Sequence, residues 1–162
     1  MIWLALAVII LMLSFGAVLL FGAPYLPTLT PQVKAALELS ELKAGDTLLE
    51  LGCGDGKVLI AAAKLGINAI GYELNPFVAI VAWLRTRKYK SKVRVVFGNF
   101  WTADWPKVDA VFTFLLPKYM TKLDGKMSAY KHKPTKLISN AFAIPNKPIN
   151  AQINGVNLYL YI

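Results

Sequence analysis

The segment Glu50-Leu-Gly-Cys-Gly-Asp-Gly56 contains the residue types expected of a ligand-binding turn. Its first two residues end a short apolar run at residues 47–51, which is typical of a buried parallel strand. A helix-favouring stretch at 57–65 follows it. Ligands of open α/β sheets bind at this kind of junction, where glycines let the backbone turn sharply and approach the ligand closely. Glu50 can accept a hydrogen bond from an ammonium group. The segment therefore predicts a ligand with an amino-acid end.

A dinucleotide is a poorer fit to the same turn. The dinucleotide pattern requires a third glycine at position 57, where this sequence has Lys57. A diphosphate also prefers a helix N-terminus without a nearby acid, whereas Asp55 stands at this one. Both features favour an amino-acid-bearing ligand over a diphosphate.

A second acid, Glu73, ends the next predicted strand, residues 69–73. Its carboxylate can accept both hydroxyls of a ribose; the alternative is a surface acid at a strand end. Leu74 could pack on the face of a base. Asn75 is explained at least as well by N-capping of the helix that Pro76 begins, which we expect to run to about residue 88.

Two further segments follow later predicted strands. After the strand at 92–98, Asn99 could meet the amino group of an adenine, with Phe100 beside it; the alternative is a turn asparagine next to core aromatics. After the strand at 108–115, the rim where an acceptor would enter contains Leu116 and Pro117. This rim lacks the Asn/Asp-Pro-Pro-Tyr signature of amino-base methylation, which counts against a DNA adenine substrate.

The remaining elements predict the fold class. Strands alternate with helices through residues 47–126, which indicates a mostly parallel sheet with right-handed crossovers. A strand at 136–142 follows, and Asn154-Gly155 between two apolar runs predicts a closing antiparallel hairpin. The predicted fold is therefore α/β and Rossmann-like, in the form of class I S-adenosylmethionine-dependent methyltransferases, preceded by one transmembrane helix.

The transmembrane prediction rests on the N-terminal part of the sequence. Residues 1–33 contain no Asp, Glu, Lys or Arg, and residues 2–22 are apolar except for Ser14, long enough to cross a bilayer. A cleaved signal peptide and a buried core helix are the alternatives, but nothing basic precedes the run. We divide the chain into an anchor (1–23), a linker with an amphipathic segment (24–45) and an S-adenosylmethionine-binding domain (46–162).

The charged residues indicate which partners the domain could bind and on which side of a membrane it would lie. The chain has 18 basic and 9 acidic residues, a net charge of +9, and all of them follow the apolar run. Anionic lipid headgroups and a merely solvated basic face explain this charge about equally well, whereas a nucleic acid is disfavoured because no recognition motif accompanies it. The positive-inside rule places the domain on the cytoplasmic side of a single-pass anchor. One Cys and one His cannot form a zinc site, so no metal is expected.

With these residues identified, the chain resembles the small membrane-anchored lysine methyltransferases of the ATP synthase c-subunit and the adenine nucleotide translocase, together with their prokaryotic relatives. The resemblance covers the apolar N-terminus, residues 24–28, 50–56 and 61–64, Gly71-Tyr-Glu-Leu-Asn-Pro76, Asn99-Phe-Trp101 and Phe114-Leu-Leu-Pro117. It implies S-adenosylmethionine as cofactor and transfer to a lysine of a membrane or membrane-proximal protein. It also suggests that residues 24–28 fold over the methionine end of the cofactor. Residues 118–162 match poorly and leave the substrate open.

Two other functions remain as alternatives: methylation of a lipid or another lipophilic small molecule, and a non-catalytic membrane scaffold that retains the shell of the fold. No general base is assigned. The candidate cofactor-binding residues are Thr28, Glu50, Gly52, Cys53, Gly54, Gly56, Glu73, Leu74, Asn75, Asn99 and Phe100, and the candidate acceptor-pocket residues are Tyr25, Trp101, Leu116 and Pro117.

Overall fold

The computed structural model describes residues 1–6, 9, 12 and 26–162. Most of the predicted anchor (1–23) and the acceptor candidate Tyr25 lie outside these residues. Among the helices that are described, none is both long enough and apolar enough to cross a bilayer.

Helices and strands alternate from Thr30 to Phe97, as the sequence predicts, and one further helix follows the fourth strand. The helices are α1 (Thr30–Ser40), α2 (Lys57–Lys64), α3 (Pro76–Thr86) and α4 (Met120–Ser128), and the strands are β1 (Thr47–Leu51), β2 (Asn68–Glu73), β3 (Val93–Phe97), β4 (Ala110–Thr113), β5 (Thr135–Asn140), β6 (Ala151–Ile153) and β7 (Val156–Tyr161). Single 3₁₀ turns extend α3 at Arg87–Tyr89 and precede α4 at Pro117–Tyr119.

The strands form one seven-stranded sheet in the order β3-β2-β1-β4-β5-β7-β6. β1 to β5 are parallel, and β7 pairs antiparallel with both β5 and β6. The predicted mostly parallel sheet with an antiparallel C-terminal hairpin is confirmed. The hairpin turns at Asn154-Gly155, both in the left-handed region with φ of 49° and 76°, as a tight primed turn requires. Because β1 is the central one of the five parallel strands, its carboxyl end is the centre of the site described below.

Each face of the sheet has its own core. On one face, alternate strand residues such as Leu48, Phe112 and Ile138 pack with α1, α2 and α3. On the other face, Leu49, Val111 and Leu137 pack with α4 and with the irregular segments after β3 and β5. The alternation follows from the two-residue period of a strand. The sheet is thereby fixed on both sides, which holds the carboxyl ends of β1, β2 and β4 in register.

The connection from β3 to β4 contains no helix in the structure, so its course is fixed by side chains. Trp105 Nε1 donates to the Phe100 carbonyl at 2.9 Å. Lys126 of α4 donates from Nζ to the carbonyls of Trp101 at 3.0 Å and Ala103 at 3.1 Å. The Lys126 ammonium also lies 4.8 Å from the Trp105 ring centre. These contacts hold the segment that carries Asn99 and Trp101 against α4.

Candidate functional site

The glycine turn after β1 is held by the end of β2. The backbone amides of Gly52 and Cys53 both donate to the Tyr72 carbonyl, at 3.0 and 2.8 Å. The next amide, that of Gly54, donates to Glu73 Oε2 at 2.9 Å. Gly52 has φ of +80°, in the left-handed region that a residue with a Cβ rarely adopts. The turn therefore needs glycine for its backbone and the end of β2 for its position.

The turn faces open space on one side and the core on the other. A Cβ added at Gly52 would meet no atom within 4 Å, so the turn offers room for a ligand there. Cys53 points the opposite way: a Cβ at Gly71 of β2 would lie 2.6 Å from the Cβ of Cys53 and 2.7 Å from Leu59 Cδ1. Burial raises the pKa of the Cys53 thiol, so the thiol stays neutral in the core. Ligand contact by Cys53 would therefore involve its backbone.

Glu50, at the carboxyl end of β1, is a buried acid with an unused oxygen. The residue is only 4% exposed, and its Oε2 has no hydrogen-bond partner among the residues that the structure describes. Burial and, next, the charge of Glu73 raise the pKa of Glu50 well above its ordinary value, against the opposing effect of the Leu59 amide. A buried polar atom without a partner is costly. A ligand that brings an ammonium group to Glu50 would remove that cost.

Glu73, at the end of β2, is the second buried acid, and its two oxygens are both held. Oε2 accepts from the Gly54 amide at 2.9 Å, and Oε1 accepts from the Asn75 amide at 2.8 Å. Burial raises the pKa of Glu73, while the amides of Asn75, Gly54 and Leu74 lower it. Since each carboxylate oxygen can accept more than one hydrogen bond, Glu73 retains capacity for two ligand hydroxyls.

These features fit S-adenosylmethionine, the cofactor that the resemblance implies. Its amino-acid end has an ammonium group for Glu50, and its ribose has two hydroxyls for Glu73. The open space at Gly52 lies on the turn between the two acids. The two acids also argue against a diphosphate ligand, because their carboxylates would repel its negative charge.

Other predicted cofactor residues have structural roles in this site. Asn75 caps α3: its Oδ1 accepts from the amides of Phe77 at 3.0 Å and Val78 at 3.3 Å, while its buried Nδ2 has no partner in the described part of the chain. Asn99 Oδ1 accepts from the Trp101 amide at 2.9 Å, so this oxygen organises the turn after β3. Cofactor contacts of both asparagines stay predictions.

The remaining cofactor candidates differ in exposure. Leu74 is half-buried and Phe100 is buried in the core. Gly56 begins α2 in the left-handed region, and a Cβ there would lie 3.0 Å from Thr86 Cγ2 of α3. Thr28 is buried, and its carbonyl accepts from Lys57 Nζ at 2.8 Å. That bond brings the segment before α1 to the start of α2, the region over which residues 24–28 are expected to fold.

Aromatic side chains cluster in the segments that follow β3, β4 and β5, and we call this group the aromatic rim because the acceptor is predicted to enter there. Trp101 is half-buried and lies 4.7 Å from the Phe100 ring and 6.0 Å from the Tyr119 ring, centre to centre. Phe114, after β4, stacks on Phe142, after β5, at 6.3 Å. Leu116 is half-buried on the same rim and Pro117 is exposed.

Sequence reasoning missed two residues at this rim. Tyr119 contacts Trp101, and it could have been found only from the 3₁₀ turn that places it there. Thr113 ends β4 beside Leu51 of β1, is fully buried, and has a hydroxyl without a partner within the described residues. A polar residue that ends an apolar strand, as in Ala110–Thr113, is the signal that could have identified Thr113.

Comparison with known proteins identifies chains that are similar to this one in sequence and fold. The model of the ANTKMT methyltransferase domain matches residues 50–151, which include the glycine turn, Glu73 and the aromatic rim. Among solved structures, an RNA methyltransferase from Salinibacter ruber in complex with S-adenosyl-L-homocysteine superimposes with a TM-score of 0.76 at 26% identity, covering 84% of this chain and 92% of that one.

Curated relatives share sequence over most of the chain. A lysine N-methyltransferase of the ATP synthase c-subunit from Xenopus laevis is 33% identical over 127 residues, 76% of this chain and 55% of that protein. A protein-lysine N-methyltransferase of Saccharolobus islandicus is 30% identical over 149 residues, 86% of this chain and 92% of that protein. The chain thus spans about half the length of the Xenopus relative and nearly all of the archaeal one.

Proposed function

The chain belongs to the family of the ANTKMT methyltransferase domain, and on that premise we propose that it transfers a methyl group from S-adenosylmethionine to the side-chain amine of a lysine in a membrane or membrane-proximal protein. The observation that carries the proposal is the pair of buried acids around the glycine turn. Glu50 has an oxygen that finds no partner in the part of the chain that the structure describes, and Glu73 positions the turn through the Gly54 amide.

The chain's own residues account for the binding and orientation of the cofactor. S-adenosylmethionine supplies an electrophilic methyl group on a positively charged sulfur. Glu50 would bind its ammonium group and Glu73 its ribose hydroxyls, with the backbone at Gly52 close against it. Because both acids end neighbouring strands of a rigid sheet, the two ends of the cofactor are fixed relative to the rim. Methyl transfer is an in-line displacement, so such positioning supplies much of the acceleration.

The aromatic rim suits an amine acceptor. A free lysine has a pKa of about 10.4, and it attacks only as the neutral amine. Partial burial among Trp101, Tyr119 and Phe114 would disfavour the ammonium form and so promote loss of its proton. The relatives named as protein-lysine methyltransferases support lysine as the acceptor.

The membrane part of the proposal is supported by the sequence. The apolar run at residues 2–22 has the length of a single span, and the basic residues all follow it. We therefore place the domain on the cytoplasmic side of an N-terminal anchor.

An RNA acceptor is the second candidate. The Salinibacter ruber structure at 26% identity is named an RNA methyltransferase, and this chain has a net charge of +9. Basic charge alone gives sequence-independent attraction to phosphates, and it serves equally well next to anionic lipid. The lysine proposal is the stronger because two relatives named as lysine N-methyltransferases are 30% and 33% identical to the chain, against 26% for the Salinibacter ruber structure.

Incubation of the detergent-solubilised full chain with methyl-labelled S-adenosylmethionine and fractions of its host cells tests the proposal. We expect label in membrane protein, and methyllysine after acid hydrolysis. Glu73→Ala is the inactive control, and Glu38→Gln, an exposed acid on α1, is the matched active one. Label that enters only organic-extractable lipid, or only RNA, would overturn the lysine proposal.

A further inference from the structure

The outer face of α3 is apolar and exposed. The inner residues Val78, Ala79 and Ala82 are buried in the core beside β2 and β3. The outer residues are large and apolar, and roughly half of each is exposed: Phe77 39%, Ile80 55%, Val81 45%, Trp83 55% and Leu84 49%. Phe97, at the end of β3 on the same side of the sheet, is 63% exposed. We call these six residues the α3 patch.

Such a surface is unusual for a helix at the edge of a domain. A surface helix normally has polar residues on the face that points away from the core. α3 has no charged residue between Pro76 and Leu84, so its outer face is as apolar as its inner one. Contiguous exposed apolar surface of this kind marks an interaction site.

The charges next to the α3 patch are all positive. Six basic residues lie between positions 85 and 94, and no acid occurs from residue 74 to residue 103. Arg87 lies 5.4 Å from the Trp83 ring centre, so a guanidinium borders the apolar surface directly. Arg85 contacts Asp55 of the glycine turn, whereas the other five basic residues of this stretch form no ion pair with any residue that the structure describes. Apolar residues with a tryptophan, bordered by Arg and Lys, are the composition of helices that lie in the interface of a bilayer.

We propose that the α3 patch docks on the surface of a bilayer that contains anionic lipid, with its apolar side chains in the interface and Arg87, Lys88 and Lys90 against the headgroups. A second copy of the chain fits this surface less well, because two patches would bring like charges together. The chain's own apolar N-terminus fits less well too, because residues 1–33 have no acid to pair with the basic border.

Docking through α3 would hold the candidate active site close to the bilayer. Thr86 of α3 packs on Gly56, where a Cβ would approach its Cγ2 to 3.0 Å, and Arg85 contacts Asp55. The helix that carries the α3 patch therefore contacts the glycine turn directly. The proposal does not depend on which acceptor is methylated, or on whether the chain is an active enzyme.

A spin label on α3 tests the docking in the full-length chain. Ile80→Cys places the label in the α3 patch, and Lys107→Cys places a control label at an exposed position between β3 and β4. The native chain measures background labelling, since Cys53 is buried. Each variant is reconstituted into phosphatidylcholine vesicles with or without phosphatidylglycerol. Electron paramagnetic resonance then measures how often the spin label collides with oxygen, which is enriched in the bilayer, and with a nickel chelate, which stays in water.

We expect the label at position 80 to gain oxygen and lose nickel accessibility in the vesicles with phosphatidylglycerol, and the label at position 107 to stay accessible to nickel in both. Adding Arg87→Gln, Lys88→Gln and Lys90→Gln should restore nickel accessibility, because each basic residue removed weakens attraction to the anionic surface by about fivefold.

Three outcomes would overturn the docking proposal. The label at position 80 could stay open to nickel in the vesicles with phosphatidylglycerol. It could be shielded equally in both kinds of vesicle and in the triple variant, which would mean that the chain covers its own patch. It could also show dipolar broadening that disappears on dilution with unlabelled chain, which would mean that a second copy occupies the patch.

Discussion

The backbone amide of Gly54 donates to Glu73 Oε2 at 2.9 Å, so the acid that ends β2 also positions the turn that follows β1. The other oxygen of Glu73 accepts from the Asn75 amide at 2.8 Å, one residue before α3 begins. A single carboxylate thus connects the two segments that border the cofactor site. Its proposed contact with the ribose would add to a network that already exists in the protein, which makes the site preorganised.

Replacing Glu73 with Gln should weaken cofactor binding more than it lowers stability. A glutamine amide nitrogen is a donor, so one of the amides of Gly54 and Asn75 loses its acceptor and one ribose hydroxyl loses a charged partner. Hydrogen bonds to charged groups contribute about 1.5–3 kcal/mol, so Kd should rise roughly 10- to 150-fold. Calorimetric titration with S-adenosylhomocysteine measures this. Glu38→Gln is the matched control, and equal affinities in the two variants would contradict the assignment of Glu73.

Cofactor affinity should depend on pH through Glu50. Burial raises the pKa of Glu50 in the folded protein, and the carboxylate is the form that binds an ammonium. Below that raised pKa, binding must release a proton, so Kd should fall up to about tenfold for each pH unit of increase and level off above it. Titrations in buffers of different ionisation enthalpy count the protons. In Glu50→Gln the slope from this group should disappear and the affinity should be low throughout.

Because of the same raised pKa of Glu50, the protein without cofactor should become less stable as pH rises, whereas its affinity for the cofactor increases. Glu50 binds its proton more tightly in the folded than in the unfolded chain. Stability from this group is therefore present below the unfolded pKa of about 4.3 and is lost as pH rises through the folded pKa. Glu50→Gln should remove that loss, as measured by urea unfolding across pH. A variant that is no more stable than the native chain at high pH would show that Glu50 ionises without cost.

The parts of the fold that the sequence predicted well are those fixed by local chemistry. The turn at Glu50–Gly56, the cap at Asn75 before Pro76 and the hairpin at Asn154-Gly155 are each signalled by residues that are adjacent in the chain, and each occurs as predicted. The predicted methyltransferase family, enzyme class and S-adenosylmethionine cofactor are confirmed by the family match and by a similar structure solved with S-adenosyl-L-homocysteine. The membrane anchor stays a prediction.

Features fixed by distant contacts could not be predicted. The segment between β3 and β4 depends on Lys126, some 25 residues farther along the chain. The Tyr119 contact with Trp101 appears only once the sheet and α4 are assembled, and so does the Thr113 hydroxyl, which is unpaired among residues 26–162. The apolar outer face of α3 was hidden because its composition is equally typical of a helix buried on all sides. Periodicity identifies a helix but does not say what covers it.

Gly52→Ala should weaken cofactor binding at a position where the described residues leave room for the added methyl group. Gly52 and Gly155 share left-handed φ values, +80° and +76°, and neither has an atom within 4 Å of an added Cβ. Backbone strain should cost both alanine variants similar stability, about 1–2 kcal/mol. Only Gly52→Ala should also crowd the cofactor, by about 1–3 kcal/mol, or roughly 5- to 150-fold in Kd. Equal loss of affinity in both variants would place the cofactor away from Gly52.

Lys126→Met should loosen the segment that carries Asn99 and Trp101. The ammonium of Lys126 donates to the carbonyls of Trp101 and Ala103, and methionine keeps the apolar stem but has no donor. The two partly buried carbonyls would lose their partner, at a cost of about 1–2 kcal/mol in the free energy of unfolding. Lys107→Met, an exposed lysine on the same connection, is the matched control and should leave stability within about 0.5 kcal/mol of the native chain.

Hydrogen exchange distinguishes this local effect from a general loss of stability. In Lys126→Met the Trp101 and Ala103 amides should exchange faster while the amides of β1 and β4 keep their relative protection, because the sheet does not depend on this side chain. The apparent KM for the acceptor should rise with little change in kcat, since Trp101 borders the entrance and the acids that hold the cofactor are untouched. Uniformly faster exchange, or a fall in kcat alone, would mean that Lys126 stabilises the domain without shaping the acceptor entrance.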